Sequence, residues 1–293
     1  MLIVPGPAST NLGEKIAEIL NLPLAEVESK TFPDGECYVR LTKDVKNEDV
    51  VIVQSTYPPQ NTHLIQLFLM VDAAKNFGAK RVIVVTPYLA YARQDKVFRF
   101  YEPISIETIL KILEKLEVKT LITVNIHEPK VFEKIRFECL NLSATNLLAE
   151  YFVKMGLTGV LAFAPDSKAV KIVEEAAKIL GGGVGWFKKE RDRVTGEIKM
   201  VSEERFEVKD RTVILFDDMI STGGTTATAV KMLKEMGAKK VFSACVHPLL
   251  VKNALNKILE AGAEAVVATD TIPSSVSVVS VAPLIANTLK KFI

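Results

Sequence analysis

A chain of 293 residues, 48% hydrophobic and 25% charged, is long enough for two ordinary domains with real cores. Its net charge of +2 gives no reason to expect nucleic acid or an anionic membrane as a partner. The three cysteines, Cys37, Cys139 and Cys245, show neither metal nor redox spacing, which predicts a reducing, cytoplasmic setting. The opening residues MLIVPGPAST lack the basic segment and apolar core of a signal peptide, and no apolar run reaches the length of a membrane span.

Short β-branched runs alternate with helical patterns, which predicts βαβ units and parallel sheet. MLIVPG opens as a strand and NLGEKIAEIL follows as a helix. KTFPDGECYVRL carries a Pro-Asp-Gly turn and reads as a hairpin or bent strand. VVIVQS is a buried strand, HLIQLFLMVDAAKNFGA a helix closed by Gly78, and KRVIVVTPY another strand. LAYARQDKVFRFYEPIS is irregular, aromatic and charged. IETILKILEKL is an amphipathic helix, and KTLITVNIHEP a strand ending at His127.

Two halves of the chain echo each other. NFGAKRVIVVTPY (76–88) matches EMGAKKVFSACVH (235–247) at an offset of 159 (237 − 78). TILKILEKLEVKTLITVNI matches NALNKILEAGAEAVVATDTI at an offset of 146 (258 − 112). VVIVQSTYPPQNT then falls opposite VILFDDMISTGGT. The expectation is a duplicated α/β chain with a first domain over 1–143 and a second over 144–293. The offset drops by 13 (159 − 146), so the first copy carries an extra piece between strand and helix, and only 88–105 can supply it. Extra loops at the C-terminal edge of a parallel sheet usually carry function.

The stretch 213–226, VILFDDMISTGGTT, combines the features of a ligand site. An apolar strand delivers Asp217 and Asp218 to the sheet edge, where ligands sit in open α/β folds. Gly223 and Gly224 allow a tight turn and close backbone approach. Thr225 and Thr226 can cap the following helix, whose free N–H groups attract an anion. The loop contains no Lys, so it is not the nucleotide P-loop, and G-x-G-x-x-G is absent. An anion cradle beside two acceptor carboxylates suits a sugar phosphate. A strand–turn–helix corner with solvated acids is the plain alternative.

Other stretches stay open on chemistry alone. Arg93, Gln94 and Asp95 offer a phosphate fork and amide bonds beside aromatic rings, or they form a solvated loop. Phe32, Asp34, Gly35 and Glu36 suit an adenine, yet a plain turn looks the same. Asp166 sits between the strand VLAFA and a helix, as a ligand group or as an N-cap. Lys189 and Arg191 lie among charged residues before a Thr-Gly turn, a pattern that alone reads as a solvated hairpin.

DDMISTGGT resembles the phosphoribosyl-diphosphate-binding motif of the type I phosphoribosyltransferase fold, and its wording is similar to that of the ribose-phosphate diphosphokinases. The resemblance extends over nearly the whole chain. It implies an α/β chain of two duplicated phosphoribosyltransferase-like domains, each a mainly parallel sheet flanked by helices, with ATP on the first and ribose 5-phosphate on the second. It implies transfer of the diphosphoryl group of ATP to the anomeric hydroxyl. Asp217 and Asp218 would then hold the ribose hydroxyls, and Ser221, Thr222, Gly223, Gly224 and Thr225 the 5-phosphate. Arg93, Gln94 and Asp95 would meet ATP, Lys189 and Arg191 would be catalytic, and Mg2+ would be the cofactor, near His127 and Asp166. His127 would also meet the ATP phosphates. Phe32, Asp34, Gly35 and Glu36 would reach the adenine of a neighbouring subunit in a homo-oligomer. Many relatives have Asp at the positions of Asn125 and Ser221, and smaller residues at those of Ser167 and Lys168. Two alternatives are a nucleobase phosphoribosyltransferase, which has no use for YARQD, and a non-catalytic relative that only binds the sugar phosphate.

Overall fold

Val- and Ile-rich runs that are apolar on both faces become buried parallel strands, because helices cover each side of the sheet. The computed structural model describes residues 1–191, 198–202 and 207–293, with 189–191 and 198–202 described by backbone only. The first half contains β1 (Leu2–Pro5), α1 (Thr10–Leu20), β2 (Val27–Thr31), β3 (Cys37–Leu41), β4 (Asp49–Val53), α2 (Gln60–Asn76), β5 (Arg81–Val85), α3 (Ser105–Lys115), β6 (Thr120–Val124) and β7 (Glu138–Leu142). Its five-stranded sheet runs β1-β4-β5-β6-β7 and is parallel throughout. β2 and β3 pair antiparallel as a separate hairpin, one of the two forms expected for KTFPDGECYVRL.

The second half contains α4 (Thr145–Lys154), β8 (Val160–Ala164), α5 (Val170–Leu180), β9 (Gly181–Arg191), β10 (Ile198–Ser202), β11 (Thr212–Ile220), α6 (Gly224–Glu235), β12 (Lys240–Pro248), α7 (Ala254–Glu260), β13 (Val266–Thr269), β14 (Ser277–Val279) and α8 (Ala282–Leu289). Its sheet runs β10-β9-β8-β11-β12-β13-β14, parallel except where β10 meets β9. Strand for strand, β8-β11-β12-β13-β14 repeats β1-β4-β5-β6-β7. Arg81 pairs with Asp49, and its echo Lys240 pairs with Thr212, so the strands leading to each candidate site differ by 163 positions (212 − 49). The extra piece of the first copy is present: 86–104 separate β5 from α3, whereas 249–253 separate β12 from α7.

The chain forms two units, Met1–Ser143 with Val281–Ile293, and Ala144–Ser280. The last segment therefore belongs to the first unit and not, as expected, to the second. Packing supplies the reason. α8 lies on α1 with Ile285, Ala286 and Leu289 buried, and Arg81 Nη2 donates to both Phe292 O and Asp49 Oδ2 at 2.8 Å. In the second unit α4 lies on α5 in the same way. Each final strand is thus followed by a helix that serves the other unit. No described helix is long and apolar enough to cross a membrane.

Phe152 of α4 is fully buried, with its ring edge-on to Phe216 of β11 at 6.2 Å and to Phe242 of β12 at 5.8 Å. Truncating such a ring removes transfer energy and leaves a cavity. Phe152→Ala is expected to lower unfolding stability by about 3–5 kcal/mol in a denaturant titration. A loss below about 1 kcal/mol would place α4 outside this core.

Candidate active site

The second unit gathers three carboxylates at the C-terminal edge of its sheet. β11 stays apolar through Phe216, then presents Asp217 and Asp218, both half-buried. Asp217 Oδ1 accepts the N–H of Asp218 at 2.9 Å, and Asp218 Oδ1 accepts the N–H of Met219 at 2.8 Å, so the backbone orients both acids. Asp166 follows the neighbouring strand β8, half-buried. Its Oδ1 accepts the N–H of Lys168 at 2.9 Å and caps the short 3-10 turn Ser167–Ala169. Burial first, then the Asp218 charge, a carboxyl–carboxyl hydrogen bond with Asp218 and the Asp166 charge push the Asp217 carboxyl well above the usual range. Cys245, paired with Asp217 across β11 and β12, has its thiol pushed up by burial and then by the Asp217 charge.

The loop after the acids is held open. Gly223 takes the N-cap position of α6 at φ 75°, in the left-handed region that favours glycine. A Cβ there would lie 2.9 Å from Ala254 Cβ and 3.0 Å from Ala254 O. Leu250 N–H bonds Ile220 O at 3.0 Å and braces the loop from the other side. Thr225 and Thr226 do not cap the helix, as the sequence had suggested. Both lie inside its first turn, Thr225 exposed and Thr226 buried, and no side chain caps α6. The cap fails because Gly223 comes first with a backbone conformation that starts the helix there. Ser221 is half-buried, Thr222 exposed, and a Cβ on Gly224 would meet nothing within 4 Å. Ser221 to Thr225 thus border an uncapped helix N-terminus facing open space, an anion cradle beside an acid cluster.

The remaining candidates lie on the first unit. Arg93, exposed, and Gln94 and Asp95, half-buried, occupy the extra loop after β5. Gln94 Oε1 accepts the Ser105 hydroxyl at 2.6 Å, which uses the carbonyl end of its amide. His127 lies half-buried past the end of the adjacent strand β6. Asn125, just before it, sits at φ 40°, a conformation that asparagine tolerates. Phe32, Asp34, Gly35 and Glu36 form the exposed tip of the β2–β3 hairpin. Gly35 has φ 97°, and Asp34 Oδ1 accepts the Glu36 N–H at 3.2 Å, so Asp34 partly closes its own turn. Lys30 was not anticipated: its ammonium lies 4.6 Å from the Phe32 ring centre and 5.1 Å from that of Tyr38. An alternating strand pattern put Lys30 and Phe32 on one hairpin face, and that was the signal available.

Lys189 and Arg191 lie on β9, opposite Met200 and Ile198 of β10, and their side chains fall outside the described residues. β9 pairs with β8 up to Trp186 and runs five residues (191 − 186) beyond, past the edge from which Asp166 emerges. Among the described residues no three His, Cys, Asp or Glu side chains are arranged as a metal cage. The oxygen donors at Asp166, Asp217 and Asp218 still fit a hydrated Mg2+, which prefers hard oxygen and keeps water and phosphate in its shell.

The fold and the edge site define a class: two phosphoribosyltransferase-like α/β domains, one of which holds the acid pair and the glycine loop. Residues 1–116 match the family described as the N-terminal domain of ribose phosphate pyrophosphokinase, and residues 142–280 the phosphoribosyl transferase domain. A ribose-phosphate pyrophosphokinase of Methanosarcina acetivorans is 38% identical over 99% of this chain and 100% of its own length. One from Saccharolobus solfataricus is 37% identical over 93% of each chain. The crystal structure of phosphoribosylpyrophosphate synthetase from Mycobacterium smegmatis superposes with a TM-score of 0.89 at 32% identity, covering 99% of this chain and 98% of that one. This chain belongs to the ribose-phosphate pyrophosphokinase family and is an enzyme of that kind, a transferase of nucleotide biosynthesis.

A carboxyl whose folded pKa is raised binds its proton more tightly in the native state. Its stabilising effect is full below the unfolded value and is lost as pH rises through the folded one. At neutral pH the ligand-free protein therefore carries Asp217 at a cost. Asp217→Asn is expected to raise the melting temperature at pH 7 in the absence of ligand, at about 2–4 °C per kcal/mol regained, and to flatten the decline of stability with rising pH. An unchanged or lower melting temperature would show that the Asp217 carboxylate is not held at a cost in the folded protein.

Proposed function

We propose that the second unit binds ribose 5-phosphate and the first unit the nucleotide in the reaction of this family. The diphosphoryl group of ATP passes to the anomeric hydroxyl of ribose 5-phosphate, giving phosphoribosyl diphosphate and AMP. The observation that carries this division is the carboxylate pair joined to an uncapped helix N-terminus at Asp217–Thr225. By the strand register, the equivalent positions in the first unit are Gln54 and Ser55, which carry no charge.

Asp217 and Asp218 accept hydrogen bonds from the ribose hydroxyls. The backbone from Ser221 to Thr225 holds the 5-phosphate at the helix N-terminus. Arg93 forks onto the ATP phosphates, with Gln94 donating its amide and Asp95 beside them. The anomeric oxygen attacks the β-phosphorus in line, the bond to the α-phosphate oxygen breaks, and AMP leaves. Lys189 and Arg191 neutralise charge on the transferring group, the main help that phosphoryl-type transfer needs. Asp166 in the second unit and His127 in the first are the residues that would each contribute to holding Mg2+, which would supply further charge neutralisation. The exposed tip of Phe32, Asp34, Gly35 and Glu36, outside the five-stranded sheet, supports a homo-oligomer in which this hairpin reaches the adenine of a neighbouring copy. The free thiols of Cys37, Cys139 and Cys245 support a cytoplasmic location.

Incubation with ATP, Mg2+ and ribose 5-phosphate should release AMP in step with phosphoribosyl diphosphate, and absence of AMP would overturn the reading. Lys189→Ala should lower kcat by about 10² or more while ribose 5-phosphate still binds, the scale of other electrostatic catalytic contacts. An unaltered kcat would remove Lys189 from the catalytic role.

A further inference from the structure

The first copy repeats the strand–loop–helix of the candidate sugar site without its acids and glycines. The structure shows what those positions do now. With the 163-position shift, Gln54, Ser55 and Thr56 stand where the second copy has Asp217, Asp218 and Met219. All three are buried. Gln54 Oε1 accepts the N–H of Ala8 at 3.0 Å, and its amide N–H2 lies 3.3 Å from Gln66 Oε1. Ser55 and Thr56 point their bonding at another partner, the root of the extra loop. Ser55 Oγ accepts the N–H of Tyr88 at 3.2 Å. Thr56 Oγ1 accepts the N–H of Ala90 at 2.7 Å and donates to Tyr88 O at 3.0 Å. The Thr56 N–H reaches the same Tyr88 carbonyl at 2.9 Å.

The helix positions follow the same pattern. α2 starts at Gln60 and α6 at Gly224, so Asn61 matches Thr225. Asn61 Oδ1 accepts the hydroxyl of Tyr91, which sits at φ 65° two residues before Arg93. At the far end of the loop, Ser105 holds Gln94. The loop root, Tyr88 to Ala90, is buried, whereas Phe98, Phe100 and Tyr101 at its tip are exposed. Main-chain bonds to a fully buried hydroxyl therefore fix the root, and Tyr91 anchors the turn from which Arg93 projects.

We infer that Thr56 and Asn61 are positioning residues for the nucleotide loop, occupying the first copy's equivalents of sugar-site positions and acting on ATP through Arg93 and Gln94. The inference rests on the assignment of 93–95 to the nucleotide. It explains why the first copy can carry a long insertion without a strand or helix inside it: the edge equivalent to the candidate sugar site is its mount. A displaced cationic fork costs rate and affinity steeply, because a shift of about 1 Å at a binding group can cost up to about 10²-fold.

The test is the KM for each substrate in the AMP-release assay on the full chain, with folding checked by circular dichroism and melting. Thr56→Val, which keeps shape and removes the hydroxyl, should raise KM for ATP by about ten- to a hundredfold and leave KM for ribose 5-phosphate within about twofold. Thr56→Ser should restore the ATP value, and Asn61→Ala should raise it. In an Arg93→Ala background Thr56→Val should add little, because both changes act on one contact. A folded Thr56→Val protein with an unchanged KM for ATP, or with both KM values raised alike, would overturn the inference. If Thr56→Val does not fold, Asn61→Ala decides on the same readout. If Arg93→Ala raises KM for ATP while the Thr56 and Asn61 variants are silent, only this inference falls. If Arg93→Ala itself leaves KM for ATP unchanged, the nucleotide assignment falls and this inference with it.

Discussion

Burial of the Asp217 carboxyl beside Asp218 and Asp166 is the constraint on which the edge of the second unit is built. Water would screen three free carboxylates, but two adjacent strands hold these at a half-buried edge where screening is weaker. The buried β8 and β11 fix their spacing, and backbone N–H groups fix their orientation. The consequence is a site that is uncomfortable when empty. Hydroxyl donors and a cation would relieve it. The uncapped start of α6, after the loop from Ser221 to Gly223, adds the opposite polarity a few residues away. Gly223 permits this, since a side chain there would collide with Ala254 at the start of α7.

The two units repeat one sheet edge, and the side chains along it differ in kind. Where the second copy has an acid pair, the first has Gln54 and Ser55, neutral side chains that are fully buried and bonded internally. An internal bond network needs no ligand to be satisfied, so the first edge is stable when empty and can carry an insertion. The same repeat explains the end of the chain. α4 and α8 occupy equivalent places after β7 and β14, and each belongs to the unit opposite the strand it follows, α4 packing on α5 and α8 on α1.

Strands, the acid pair, the glycine turn and the extra loop were readable because each is a local pattern: apolar runs, adjacent carboxylates, Gly-Gly, and a mismatch between two offsets. The membership of α8 was not readable, since amphipathicity says that a helix must be covered without naming the partner. Thr225 and Thr226 looked like caps because composition shows which residues can cap, whereas the φ of Gly223 decides where the helix begins. The Asp34 side chain, spent partly on its own turn, and Lys30 over Phe32 depend on hairpin geometry that the letters alone leave open. The roles of Lys189 and Arg191 rest on resemblance and on the course of β9, because their side chains lie outside the described residues.

Calorimetric titration of the full chain with ribose 5-phosphate tests the central claim most directly, that one edge of one copy holds the sugar phosphate. One molecule should bind per chain, and Asp218→Asn should abolish that heat while Ser55→Ala, at the equivalent position of the first copy, leaves it in place. Two molecules per chain, or binding that survives Asp218→Asn and fails on Ser55→Ala, would contradict it.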